Sequence, residues 1–207
     1  MTSVRSVPLL VFALAVITYG VGIFIGLPAL ALVAKPVPAL ALAWWTLRGQ
    51  GAVLLTVGLV FSPLGDFLLD LGAGTAFFVA GMAAFAITHA LYVTAFLAHS
   101  RRPAFLALLP FFIWGVSMLR LLWAGLGGLT APVCIYAALL VAMMWRATAT
   151  SFATGRRDVA VGAVLFGLSD SLIAIERFHA PVPGGRWLIL GLYWAGQSLI
   201  ARFAARP

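Results

Sequence analysis

Apolar runs of about twenty residues follow one another along almost the whole chain, and only a few residues separate each run from the next. That is the length an α-helix needs to cross the ~30 Å hydrocarbon core of a bilayer. Transmembrane strands would show segments of ~10 residues alternating in polarity. These runs are longer and uniformly apolar, which excludes a barrel. Composition closes the remaining alternatives. Of 207 residues 64% are hydrophobic and 9% charged, against about 25% charged in an ordinary soluble domain. Too little polar surface is left to face water, and disorder is excluded by the same numbers. The expected fold is all-α: a polytopic transmembrane helical bundle, a single integral membrane domain over residues 1–207.

Breaks at Gly/Pro pairs, arginine clusters and short polar groups divide the chain into eight expected spans, at 7–25, 28–47, 51–70, 74–98, 103–122, 128–150, 157–177 and 186–204. The first run continues through Leu32, too long for a cleaved signal peptide, and reads as an anchor. With eight spans, Arg5, Arg48, Arg101, Arg102, Arg146, Arg156, Arg157, Arg202 and Arg206 fall on one side, and Arg120, Arg177 and Arg186 on the other. The bias places both termini in the cytoplasm and suits a multi-pass protein of the inner or plasma membrane. It also accounts for the net charge of +8 without nucleic acid. The one cysteine, Cys134, excludes an intrachain disulfide and a thiolate metal site. The segment Gly58–Leu68 resembles Gly162–Leu172, about half a chain further on. This mapping of the third span onto the seventh suggests a duplicated four-helix unit, 1–104 and 105–207.

Five carboxylates are present: Asp66, Asp70, Asp158, Asp170 and Glu176. A charge at the bilayer centre costs at least ~2.5–3.5 kcal/mol, so intramembrane ionisable residues are functional candidates. Asp158 falls in an arginine-rich loop and Glu176 beside Arg177 at a span end; both have simple explanations. Asp66 lies ~22 Å into the third span and Asp170 ~18 Å into the seventh, at similar depth. Ser62, Asp66 and Asp70 follow at i, i+4 and i+8 and form one polar stripe, although Asp70 could equally mark the end of its span. Lys35, the only lysine, stands ~10 Å inside the second span before Pro36 and Pro38, which open the helix backbone there. An ion pair or a substrate anion would account for it. His89 and Tyr92 share a face of the fourth span, as Tyr193 and Gln197 do on the eighth. Gln197 could also be polar glue between helices. Gly22-x-x-x-Gly26 suits either a close helix contact or the first turn.

These residues fall into ordered blocks: Lys35-Pro36; Gly58-Leu-Val-Phe-Ser-x-x-Gly-Asp66-x-x-Leu; Gly81-Met-x-x-Phe85-x-x-x-His89-x-x-Tyr92; Pro132-Val-x-x-Tyr136; Gly162-Ala-x-x-Phe166-x-x-Ser169-Asp170-Ser; and Tyr193-x-x-x-Gln197-x-Leu-Ile. From about residue 28 to 204 the chain resembles the lysoplasmalogenase, or YhhN-type, family of membrane proteins. The resemblance implies hydrolysis of the vinyl ether bond of lysoplasmalogens, yielding a fatty aldehyde and a glycerophospho-base, with a lysophospholipid as the partner.

Enol ether hydrolysis needs an acid to protonate the β-carbon and a carboxylate to stabilise the resulting oxocarbenium ion or activate water, a division of labour also found in glycosidases. Asp66 and Asp170 are the expected pair, with either one as donor. Lys35 would bind the lipid phosphate or fix the charge of one aspartate, and His89 and Tyr92 would orient water or the glycerol. Asp70, Ser62, Ser169, Tyr193 and Gln197 would support the site, and no metal or other cofactor is required. Two other readings fit the same residues. One is a metal-dependent lipid hydrolase with His89 and the aspartates as ligands. The other is a proton-coupled lipid or small-solute transporter.

Overall fold

The computed structural model describes residues 3–48, 52–72 and 74–205, with side chains from Ser6 onward. The expected breaks at 49–51 and at Ala73, the side chain of Arg5, and Arg206 lie outside the described residues. Every regular element among the described residues is helical: α1 Ser3–Phe24, α2 Pro28–Ala34, α3 Val37–Leu47, α4 Val53–Leu71, α5 Thr75–His99, α6 Phe105–Leu126, α7 Thr130–Thr154, α8 Arg157–Phe178 and α9 Gly185–Ala204. The large apolar side chains that point outward, Phe24, Leu106, Trp123, Ile135 and Phe152 among them, would form untenable patches in water. They suit a lipid surround.

Six stretches among the described residues are long and apolar enough to cross a membrane: Ser6–Phe24, Pro28–Leu47, Val53–Leu71, Thr75–His99, Phe105–Thr154 and Arg157–Phe178. The fifth contains two helices, α6 and α7. Helix α9 is not among the six, because Arg186, Arg202, Gln197, Tyr193 and two tryptophans lower its hydropathy. The chain is thus an all-helical protein with at least six membrane-competent stretches.

The chain divides into two compact units. The first holds residues 1–92 and 201–207. Its core joins Leu42, Ala43, Leu59 and Ala201, with Phe12 and Trp45 packed against them. Helix α1 meets α2 where Gly22 faces Ala31; a Cβ on Gly22 would lie 3.0 Å from the Ala31 nitrogen. Gly26, at φ +70°, makes the turn, so the two glycines of the small-residue motif serve the two expected purposes separately. The second expected span is broken between α2 and α3, as Pro36 and Pro38 require. Neither proline has an N–H, so the carbonyls of Leu32 and Ala34 lose their usual helical donor beside Lys35. Helices α4 and α5 run antiparallel in a fixed register: Gly58 lies under the ring of Tyr92, Gly65 under Phe85, and Gly81 against Leu69. The Thr88 hydroxyl donates to the Gly58 carbonyl at 3.2 Å.

The second unit holds residues 93–200. Here α6 turns into α7 through Gly127, at φ +50°, and one 3-10 turn, Gly127–Leu129. Gly115 of α6 faces Val141 of α7. Helix α7 ends at Gly155, whose positive φ and N–H bond to the Ser151 carbonyl form a left-handed cap. Helices α8 and α9 approach at Gly162 and Gly196, where a Cβ on either would come within 3 Å of the other's carbonyl oxygen.

Arg146, counted among the arginines of one membrane side, does not mark the end of its helix. Helix α7 continues two turns beyond it, and the residue is only 3% exposed. Its guanidinium donates to the carbonyls of Ser100 and, at 2.9 Å, Arg102, and lies 5.2 Å from the centre of the Trp145 ring. The Trp145 indole donates to the Ala104 carbonyl at 3.2 Å. The arginine thus satisfies the open carbonyls between α5 and α6 instead of marking a helix end.

Candidate active site

In the first unit the break between α2 and α3 brings Lys35 onto the polar stripe of α4. Its ammonium donates to Asp70 Oδ2 at 2.9 Å and lies 3.6 Å from Asp66 Oδ1. Asp66 is 4% exposed and Lys35 8%, whereas the Asp70 side chain is 42% exposed. Spacing puts both aspartates on one face, and one ammonium serves both. An isolated buried ammonium would be costly; two carboxylates within 4 Å compensate it. Asp70, ambiguous in the sequence, is the direct hydrogen-bond partner. Tyr19 of α1, not anticipated, is also buried in this unit.

The other expected residues of this unit are all interior. Ser62, His89 and Tyr92 are fully buried. Tyr92 packs its ring over Gly58, so part of its role is to set the α4–α5 approach. Asp158 sits in the first turn of α8 and pairs with Arg156 at 2.6 Å, a local interaction at the start of that helix.

In the second unit Asp170 is 5% exposed, and its Oδ2 accepts a hydrogen bond of 2.5 Å from the Tyr136 hydroxyl on α7. Tyr136 was legible only as part of a motif. It is the one tyrosine in the long apolar stretch from Phe105 to Thr154, and that isolation was the available signal. Ser169 spends its hydroxyl on the Ile189 carbonyl, at 2.9 Å, which ties α8 to α9. Tyr193 meets Phe166 edge to face, with ring centres 5.5 Å apart. Gln197 is fully buried. The structure therefore gathers Lys35, Asp66 and Asp70 in one cluster and Asp170 with Tyr136 in another.

Each cluster holds a carboxyl group on a rigid helix in an apolar surround, the setting in which carboxyl groups act as acids, bases or cation stabilisers. Among the described residues no three His, Cys, Asp or Glu side chains converge in a way that could hold a metal ion. Within the first unit His89, Asp66 and Asp70 are accordingly not gathered into such a set.

Residues 30–204 match the YhhN family. The chain is 39% identical over 169 residues to lysoplasmalogenase TMEM86A of Bos taurus, an alignment covering 75% of this chain and 66% of that protein. It is 37% identical over 176 residues to lysoplasmalogenase TMEM86B of Homo sapiens, covering 83% and 74%. It is 33% identical over 148 residues to the lysoplasmalogenase of Mycobacterium tuberculosis, covering 68% and 55%. The match spans just under two thirds of the bovine protein and little more than half of the mycobacterial one. No solved structure matches the chain. With more than four fifths of its length inside the family match, the chain belongs to the YhhN family.

Proposed function

We propose that this protein is a membrane lysoplasmalogenase. It adds water across the vinyl ether bond of a lysoplasmalogen and releases a fatty aldehyde and a glycerophospho-base. The observation that carries the reading is the burial of Asp66 and Asp170 within membrane-competent helices, each beside a fixed polar partner. The names of the similar lysoplasmalogenases support the substrate class.

Asp66 and Asp170 are the carboxyl groups assigned to the reaction, either one as donor. One protonates the β-carbon of the alkenyl chain, whose π electrons form the new C–H bond. The ether oxygen then shares the positive charge with the α-carbon. A carboxylate stabilises that cation and receives a proton from the attacking water. The hemiacetal collapses as its hydroxyl proton passes to the leaving glycerol oxygen. Lys35 compensates the charge of Asp66 and Asp70. Eight helical passes, with both termini cytoplasmic, complete the proposed arrangement, α6 and α7 crossing separately and α9 last. With Arg146 removed from the loops, the arginine bias still favours that orientation.

The test is aldehyde release from lysoplasmenyl-ethanolamine by the purified protein. Asp66→Asn and Asp170→Asn should each lower kcat by roughly 10²–10⁴-fold, the range of a lost acid or base. Full activity in both variants would sink the assignment.

A further inference from the structure

Helices α6, α7 and α8 line a half-open cavity of about 60 Å³ beside Asp170. Trp114, Leu140 and Met144 give it apolar walls, and Tyr136, Asp170 and Ser171 give it polar edges. Ser171 donates its proton to the Gly167 carbonyl at 2.8 Å, and Tyr136 donates its own to Asp170. The lining includes no lysine, arginine or histidine, so it offers nothing to a lipid phosphate. Its single ionisable acid suits a neutral group that becomes positive during reaction. Size narrows the occupant further. By this measure one water needs ~10–15 Å³, so the space takes roughly four to six heavy atoms. A whole fatty chain does not fit, whereas the segment O–CH=CH–CH₂ does.

We propose that this cavity seats the vinyl ether segment of the substrate, with the Asp170 carboxyl against the carbon that becomes the oxocarbenium centre. The proposal rests on the lysoplasmalogenase reading and adds the place where the reacting bond lies. The protonated Asp170 carboxyl gives its proton to the β-carbon, and the positive charge left on the α-carbon and ether oxygen then lies next to the resulting carboxylate, the only charged side chain of the lining. Water then adds to the α-carbon and returns a proton to Asp170. Tyr136 acts through Asp170 as a positioning residue: its hydroxyl fixes one carboxylate oxygen and thereby aims the other.

The experiment is photo-crosslinking of the full-length protein in detergent with a saturated 1-O-alkyl lysophosphoethanolamine carrying a diazirine on the third chain carbon. This probe lacks the vinyl bond and reports binding without turnover. Adducts should map to residues 114–122 and 136–144 and be displaced by lysoplasmenyl-ethanolamine. Ala137→Phe, which fills the cavity, should lower adduct yield at least tenfold. Tyr136→Phe should keep the adduct yield and KM but lower kcat about tenfold or more, a split that a merely structural tyrosine would not produce. Aldehyde release with adducts elsewhere overturns the seat and leaves the activity standing. Cavity adducts without aldehyde release overturn the activity and, with it, the role given to Asp170. The wild-type adduct map decides the seat even if Ala137→Phe fails to fold.

Discussion

At the scale of single residues, the one lysine among two aspartates is the most constrained feature. Removing one partner of a buried ion pair leaves an uncompensated charge, whereas removing both can be nearly neutral. Lys35→Met should therefore lower the thermal stability of the detergent-solubilised protein, and adding Asp70→Asn should recover part of the loss. Because Asp70 is 42% exposed, solvent screens the pair, and the coupling from the double-mutant cycle should fall toward the low end of ~0.5–3 kcal/mol. Additive losses would show that the 2.9 Å contact contributes nothing. Helical spacing alone revealed that Asp66 and Asp70 share a face. Which of them Lys35 would hydrogen-bond was not legible, because that depends on how the α2–α3 break lies along α4. Tyr136 was missed for a similar reason: its partner is on another helix, and no local period announces a contact between helices.

Between helices, the register of α4 against α5 is set by where side chains are absent. Gly58 and Gly65 stand two turns apart, and Tyr92 and Phe85 fill the two places in reverse order. A methyl group at Gly58 would overlap the Tyr92 ring. The ring is fully buried and has little room to retreat. Gly58→Ala should cost about 1–3 kcal/mol, the usual range for overpacking, and should lower activity by shifting the helix that carries Asp66. Gly191→Ala is the control: nothing lies within 4 Å of its Cβ position, and a helical Gly→Ala change there should be neutral or slightly stabilising. Equal melting-temperature losses in the two variants would refute the steric account. The helix positions themselves were largely legible, since apolar length and Gly/Pro breaks decide them. Arg146 misled because a cluster of charge normally marks a helix end, whereas here the α5–α6 connection supplies carbonyl acceptors that a local reading of α7 could not include.

For the whole molecule the open quantity is the number of crossings, and the stretch from Phe105 to Thr154 decides much of it. Its 50 residues as one straight helix would extend about 75 Å, more than twice the ~30 Å hydrocarbon thickness. Gly127, at φ +50°, and the 3-10 turn it opens interrupt that path. Gly115 beside Val141 shows that the two halves fold back on each other. We therefore expect two crossings in place of one, so the connections at 100–104 and at Gly155 should share a membrane face opposite Gly128. In a background where Cys134 is replaced by alanine, Arg102→Cys and Gly155→Cys should resist a membrane-impermeant maleimide in intact cells and react after lysis. Gly128→Cys should react in intact cells. A single crossing would put residues 102 and 155 on opposite faces, so one of the two would label from outside. Reversed labelling at all three positions would keep the crossings but overturn the cytoplasmic placement of the termini that the arginine bias supports.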